Sequence, residues 1–347
     1  MRPHFNNYYN MKLVTYTHNK TSLLGIIHEG KIWSLKDLDS SFPDKMRKFL
    51  FAGETVMEKA KKWDEQIKAG KVTKPFVNEK EVILDAPVPQ PTSCRDGYAF
   101  RQHVAAARRN RGVEMIKEFD QYPIFYFTNH NAIQGPGEIE CMPDHFEKLD
   151  FELEVAVVIG KKGRNIKASD ADKYIAGFMI MNDMSARTLQ MEEMLLNLGP
   201  AKGKDFSTVI GPYFVTPDEL EQFKVPAKNG HVGNNYNLNM KCWVNDILVS
   251  EGNVADMDWT FAEIIERCAY GVDIFPGDVI GSGTVGTGCF LELNGTGLLN
   301  DKSFKPQWLK AGDVVDMEIT GLGFLSNTIR KANTDFSLLK LKKNVIA

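Results

Sequence analysis

The sequence predicts a mostly-β chain of the α+β class, with a few helices covering its sheets. Three observations carry that prediction. No long β-α-β-α alternation runs through the chain, which argues against a doubly wound fold. Strand-like segments dominate the second half. The segment APVPQP (86–91) sets three prolines in alternation between a short β-rich stretch and a long one. Such a run cannot be helix and is poor central strand, so it reads as an extended linker. The expected organisation is a loose polar tail over 1–10, a small β domain over 11–85, the linker, and a large domain over 92–347. A chain of 347 residues suits one or two domains and can bury a large core without staples.

The elements follow in order. KLVTY, LLGIIH and KIWSL within 12–35 read as short strands, with Gly30 at a tight turn. Over 54–69, Val56, Ala60, Trp63 and Ile67 form one helical stripe, and Gly70 stands where a C-terminal cap belongs. Asp96 to about Lys117 is rich in Ala, Arg, Glu and Met and reads as a helix. PIFYF (123–127), FELEVAVVIG (151–160) and GFMIMN (177–182) read as strands, with short helices at 169–172 and 184–196. MKCWVNDILVSEG (240–252) is a hairpin turning at Asn245-Asp246. Thr260-x-x-Glu263 matches a capping box opening a helix that ends near Gly271. Beyond it, PGD-VIGSG, CFLEL, AGD-VVDMEI and a final pair read as turns and strands.

Composition excludes several function classes. Forty-two basic against 45 acidic residues give a net charge of −3, which leaves no field for nucleic acid. No apolar run approaches the roughly 20 residues of a membrane span, and the N-terminus lacks the apolar core of a signal peptide. The five cysteines are odd in number, widely spaced and form no C-x-x-C, so neither a disulfide framework nor a zinc-thiolate site is expected. A reducing cytoplasm fits these features. Gly281-Ser-Gly283-Thr-Val-Gly286 matches a dinucleotide fingerprint, but a helix should follow it and TGCFLEL reads as strand. No nucleotide cofactor is therefore expected.

The acidic residues are more informative. Along FELEVAVVIG, Glu152 and Glu154 share one face of an otherwise apolar strand. Two adjacent carboxylates repel each other and are costly to bury. Two readings stand: an exposed edge face, or a pair neutralised by a bound cation. Asp183 closes the strand GFMIMN and Asp96 opens the helix of His103; each is a helix N-cap or a further ligand. Oxygen-only ligands select a hard ion such as Mg2+, Ca2+ or Mn2+. His103 lies two helical turns after Asp96, so both can face one way. Arg101, Arg108, Arg109 and Arg111 make that helix basic, either as a solvated face or as a rim for a carboxylate substrate. Glu292, if inward, could orient a histidine as a triad acid does.

Five ordered motifs give the chain a resemblance to the fumarylacetoacetate hydrolase family: RDGYAFRQHV (95–104), FELEVAVVIG (151–160), MNDMSARTLQ (181–190), GKDFSTVIGP (203–212), and PGDVIGSGTVGTG followed by FLEL (276–293). The resemblance implies a mixed β-sandwich or β-roll C-terminal domain, a small SH3-like N-terminal β domain, and a homodimer. It implies that one divalent cation, Mg2+ ahead of Ca2+ or Mn2+, is held by Asp96, Glu152, Glu154 and Asp183. In the family pattern His103 activates water, Glu292 orients it, and Lys204, Arg187 and Gln190 stabilise developing negative charge. Tyr98, Tyr126 and Thr284 match substrate contacts, and either Arg109 or Arg111 takes the substrate carboxylate. The activity implied is hydrolysis of a carbon–carbon bond in a small β-diketo acid, as in aromatic amino acid catabolism. The alternatives are an isomerase, decarboxylase or dehydratase of a keto acid, or an inactive metal-binding paralogue.

Overall fold

The structure, a computed structural model, describes residues 11–343. The expected tail over 1–10 lies outside the described residues. At the centre stands a 12-stranded sheet. Its path runs Val77–Asn78, Lys31–Ser34, Thr21–His28, Lys12–His18, Thr208–Val215, Ile175–Asp183, Leu153–Ile159, Val279–Gly281, Cys94–Gly97 and Phe125–Thr128. Lys12–His18 is the seam. It pairs with Thr21–His28 from Leu13 to His18, and Lys12 and Leu13 also pair with Val215 and Phe214. The N-terminal strands therefore continue the sheet that carries the acidic residues.

Leu153–Ile159 is buried at every position. Its side chains alternate between two cores, because successive strand residues point to opposite faces. Val155, Val157 and Ile159 join Phe178, Ile180, Met240, Met317, Leu325 and the helix Phe261–Ala269. Ala156 and Val158 join Met179, Met181, Phe214, Leu13, Ile26, Phe49 and Leu50. The first core lies against a five-stranded sheet ordered Ile247–Asn253, Asn239–Val244, Val314–Ile319, Gly323–Lys331 and Gly137–Cys141. The second lies under the N-terminal helices Met46–Phe51 and Glu54–Lys68. A strand covered on both faces reads as a continuous apolar run, which is how FELEVAVVIG reads after its glutamates.

Local chemistry places several elements where the sequence puts them. Asn245 and Asp246 have φ of 52° and 63°, the left-handed pair of a two-residue hairpin turn. The Thr260–Glu263 capping box is present with both hydrogen bonds, and it opens the helix Phe261–Ala269. The helix Glu54–Lys68 ends ahead of Gly70.

Three expectations need correction. The segment 96–117 is not one helix: Cys94–Gly97 is a buried strand, and the helix is Arg101–Arg109. Asp96 is thus neither an N-cap nor on a helix face with His103. Parallel pairing with Val279–Gly281 overrides local helix propensity there. The helix after Asp183 starts at Arg187, with Ala186 at its N-cap position, so Asp183 caps nothing and ends its strand. CFLEL is not a strand but opens the helix Phe290–Asn300. Its first two amides, of Phe290 and Leu291, donate to the carboxylate of Asp150 at 2.8 and 2.9 Å. That cap lies 140 residues away in sequence.

Leu13 is fully buried at the seam. Leu13→Ala should destabilise the protein by about 2–5 kcal/mol through lost burial and the cavity left behind. The midpoint of urea unfolding reads this directly; an unchanged midpoint would show that the seam is not integral to the folded unit.

Candidate active site

Four carboxylates converge at one end of the central sheet. Asp96 comes from Cys94–Gly97, Glu152 from just before Leu153–Ile159 and Glu154 from its start, and Asp183 from the end of Ile175–Asp183. The register sets this: Leu153 lies opposite Asn182, and Gly281 lies between Ala156 and Asp96. One carboxylate oxygen of each residue falls within 4.8 Å of the others. Glu152 is 5% exposed and Glu154 is sealed, so the exposed-edge reading is excluded.

Burial and mutual repulsion push protons onto part of this set. Burial and the Asp183 charge raise Asp96 to about 7. Burial and the Asp96 carboxylate push Glu154 well up. For Glu152, burial opposes ionisation, but the ammonium of Lys204 and the guanidinium of Arg187 outweigh it and hold the carboxyl at about 2. Lys204 Nζ donates to Asp183 Oδ2 at 2.7 Å and also to Glu152 Oε2. Tyr126 donates its hydroxyl to the same Asp183 oxygen. The other Asp183 oxygen, Oδ1, is buried without a hydrogen-bond partner.

Arg187 ties this cage to the protein. Its Nε donates to Asp150 at 2.9 Å, its Nη2 to Glu152 at 2.8 Å, and its Nη1 to Gln190 Oε1 at 3.0 Å. Because the Gln190 carbonyl faces Arg187, the amide NH2 is its remaining donor.

His103 projects from the helix Arg101–Arg109, and its Nδ1 lies 2.7 Å from Glu292 Oε2. Glu292 also accepts the Thr287 amide at 3.0 Å. Both side chains are buried. The Tyr98 ring stands edge-on to His103, with centroids 5.9 Å apart. Thr284 Oγ1 reaches Glu154 at 3.5 Å. The two candidate arginines diverge. Arg109 donates to Thr296 at 2.9 Å, and Arg111 donates from Nε to the Ala107 carbonyl at 3.1 Å; burial raises the Tyr98 hydroxyl, and the charges of Arg111 and then Arg108 partly oppose it. Arg101 donates to Asp120 and Arg108 to the Glu114 carbonyl.

The loop Gly281–Gly286 serves the carboxylates. A Cβ on Gly281 would sit 2.5 Å from Asp96 Oδ1 and 2.9 Å from Glu154 Oε2. The Gly283 amide donates to both acids, at 3.0 and 3.2 Å, from a backbone with φ of 79°. A helix does follow this loop, against the expectation. It begins only at Phe290, and the Gly283 N–H that would face a phosphate is already turned on carboxylates.

The donor set fits a hard divalent cation: four buried carboxylates, an oxygen with no partner, and acids pushed up for want of a counter-charge. Sequence reasoning missed Asp150, Cys289 and Asn182. Asn182 Oδ1 accepts the Glu152 amide at 3.1 Å. Asp150 immediately precedes the run FELEVAVVIG, but nothing local marks a residue whose partners are an arginine and a distant helix end.

Residues 92–330 match the family model described as fumarylacetoacetate (FAA) hydrolase C-terminal. The chain is 32% identical over 309 residues to oxaloacetate tautomerase FAHD2A, mitochondrial, of Homo sapiens, covering 86% of this chain and 84% of that one. It is 29% identical over 326 residues to the fumarylacetoacetate hydrolase domain-containing protein 2 homolog of Dictyostelium discoideum, covering 92% and 97%. Among solved structures, it shares its fold with fumarylacetoacetate hydrolase from psychrophilic Exiguobacterium antarcticum. That match has a TM-score of 0.68 and 22% identity, over 93% of this chain and 100% of that one. Maleylpyruvate hydrolase from Sphingobium sp. SYK-6, in complex with manganese (II) ion and pyruvate, gives a TM-score of 0.66 and 19% identity with the same coverage.

The raised Asp96 gives a signed prediction. A cation needs the carboxylate ionised, so binding below about pH 7 must displace a proton. Divalent-ion affinity should rise by up to about tenfold per pH unit for each displaced proton as pH approaches 7. Conversely, a raised folded-state value stabilises the metal-free protein at low pH and is lost as pH rises through about 7. The metal-free Tm should therefore fall from pH 5 to 8, and saturating Mg2+ should close the gap. Calorimetric titration and thermal melts read both; an affinity independent of pH would overturn the assignment.

Proposed function

The chain belongs to the fumarylacetoacetate hydrolase family, and on that premise we propose that it is a divalent-metal-dependent hydrolase of a carbon–carbon bond in a β-diketo acid, of fumarylacetoacetate or acylpyruvate type. The observation that carries this reading is the buried His103–Glu292 pair at 2.7 Å, beside the four carboxylates. Asp96, Glu152, Glu154 and Asp183 would hold the cation, Mg2+ first and Mn2+ or Ca2+ after it. When bound, it supplies Lewis-acid polarisation of the substrate's enolised dicarbonyl oxygens.

The protein's own groups do the rest. With Nδ1 held by Glu292, His103 offers Nε2 to a water and takes its proton as the water attacks the carbonyl carbon. The carbon–carbon bond then breaks, and the proton returns to the departing carbon. Lys204 and the Gln190 amide meet the charge that develops on oxygen. Arg187, already shared between Asp150 and Glu152, orients Glu152 and Gln190. Arg111, the arginine whose charge acts most on Tyr98, supplies the cation for the substrate carboxylate, with Tyr126 and Thr284 lining the cage.

A second reading is keto–enol tautomerisation of an oxaloacetate-like acid. It is favoured by the human relative at 32% identity, an oxaloacetate tautomerase. The same histidine would then shuttle a proton with no water consumed; decarboxylation or dehydration of a keto acid would likewise leave water activation unused. Five separate buried thiols support a reducing compartment. Among the described residues no helix is long and apolar enough to cross a membrane. We also propose a homodimer; light scattering that gives a 39.1 kDa particle would remove it.

Fumarylacetoacetate, acylpyruvates and oxaloacetate, offered with Mg2+, separate the readings. Hydrolysis bleaches the diketone absorbance and yields two acids, one carrying 18O from labelled water. Tautomerisation changes the enol band with no change of mass. Under hydrolysis, His103→Ala should cost on the order of 10²–10⁴-fold in kcat with metal affinity unchanged, and Glu292→Gln should cost less. Retained turnover in His103→Ala would reject water activation.

Lys204→Met should lower kcat more than it raises KM, because the charge it meets grows toward the transition state. A change in KM alone would reassign it to ground-state binding.

A further inference from the structure

A second set of metal-binding atoms lies beside the oxygen cage and shares one member with it. Ligand atoms of His103, Glu152 and Cys289 fall within 4.8 Å of one another, and all three residues are buried. The proposed reaction leaves Cys289 without a role. We infer that this trio is an inhibitory site for a thiophilic divalent ion such as Zn2+ or Cd2+, distinct from the all-oxygen site for the hard ion.

The chemistry of the donors separates the two sites. Imidazole nitrogen, thiolate sulfur and one carboxylate oxygen form a set suited to zinc, whereas Mg2+ and Ca2+ prefer oxygen alone. The histidine is already posed as a ligand. Its Nδ1 is taken by Glu292 at 2.7 Å, which leaves Nε2 as the nitrogen available to a metal, and a carboxylate behind a metal-binding imidazole is the usual support for such a ligand. The carboxylate is ionised and oriented, because Lys204 and Arg187 both hold Glu152. Cys289 is anchored where the chain enters the helix Phe290–Asn300, whose first amides Asp150 fixes. A buried thiol yields its proton only to a strongly thiophilic cation, so Mg2+ leaves it protonated. His103 is 7% and Glu152 5% exposed while Cys289 is sealed, so an ion reaches the trio from the side of the histidine and the glutamate. An ion bound there occupies the nitrogen that the proposed reaction uses as its base. The loss of turnover, though not the binding, therefore rests on the reading of His103 given above.

The test uses the Mg2+-loaded protein. Titration with Cd2+ should give a thiolate-to-metal charge-transfer band in the near ultraviolet, saturating at one equivalent, and Cys289→Ser should abolish it. Cys289→Ala serves as the second variant if the serine protein folds poorly. Zn2+ should inhibit the wild type at constant Mg2+, and the cysteine variants should need at least about tenfold more for the same inhibition, the scale on which metal affinity responds to altered ligation. A missing band, a band that persists without Cys289, or equal Zn2+ inhibition of wild type and variants overturns the proposal. The last result would mean that Zn2+ replaces Mg2+ among the oxygens. A Cys289-dependent band with undiminished turnover keeps the site and instead overturns His103 as the base.

Discussion

Four carboxylates packed into one buried corner repel each other, and the surroundings answer that repulsion. Lys204 bridges Glu152 and Asp183, Arg187 takes the far side of Glu152, and the Gly283 amide is shared by Asp96 and Glu154. The compensation is incomplete. Glu152 is held far down while Asp96 and Glu154 are pushed up, so the pocket lacks positive charge on the side of Asp96 and Glu154. A pocket built this way has its deficit localised, and it sits at one end of the four consecutive strands Ile175–Asp183, Leu153–Ile159, Val279–Gly281 and Cys94–Gly97, in a sheet buried on both faces.

Asp150 joins the two halves of the chemistry. It is fully buried and accepts from Arg187 on one side and from the amides of Phe290 and Leu291 on the other. Arg187 positions Glu152 in the cage; the helix beginning at Phe290 positions Glu292 behind His103. Cage and base are thus referenced to a single carboxylate. Movement of either relative to the other must break a charge-assisted hydrogen bond in a low-dielectric interior, where such bonds are hard to replace.

Leu153–Ile159 and Ile175–Asp183 were legible because their residues are buried on both faces and read as apolar runs, whereas Thr208–Val215, in the same sheet, was not read as a strand. The Asn245-Asp246 turn and the Thr260 capping box were legible because their chemistry is local. Asp96, His103, Glu152, Glu154, Asp183 and Glu292 were legible as candidates through ordered motifs, and the fold brings them together. What sequence hid is tertiary. The strand at Asp96 exists because Val279–Gly281 lies beside it, and the helix of Glu292 starts where a distant aspartate receives its amides. No window of neighbouring residues contains either partner. Cys289 was weighed only for disulfide and zinc-finger spacing, a test blind to a histidine and a glutamate reached through space.

The seam strand has a consequence for how the molecule is made. Lys12 and Leu13 can complete their pairing only with Val215 and Phe214, which leave the ribosome some two hundred residues later. At about 5–20 residues per second, that is a wait on the order of 10–40 s for a partly paired, apolar strand. During it the first-made hairpins present an open edge and the side chains of Leu13 and Ile26 without their later neighbours. The nascent N-terminal stretch is accordingly the segment that most needs shelter from other nascent chains, and slowing synthesis would lengthen its exposure rather than help it fold.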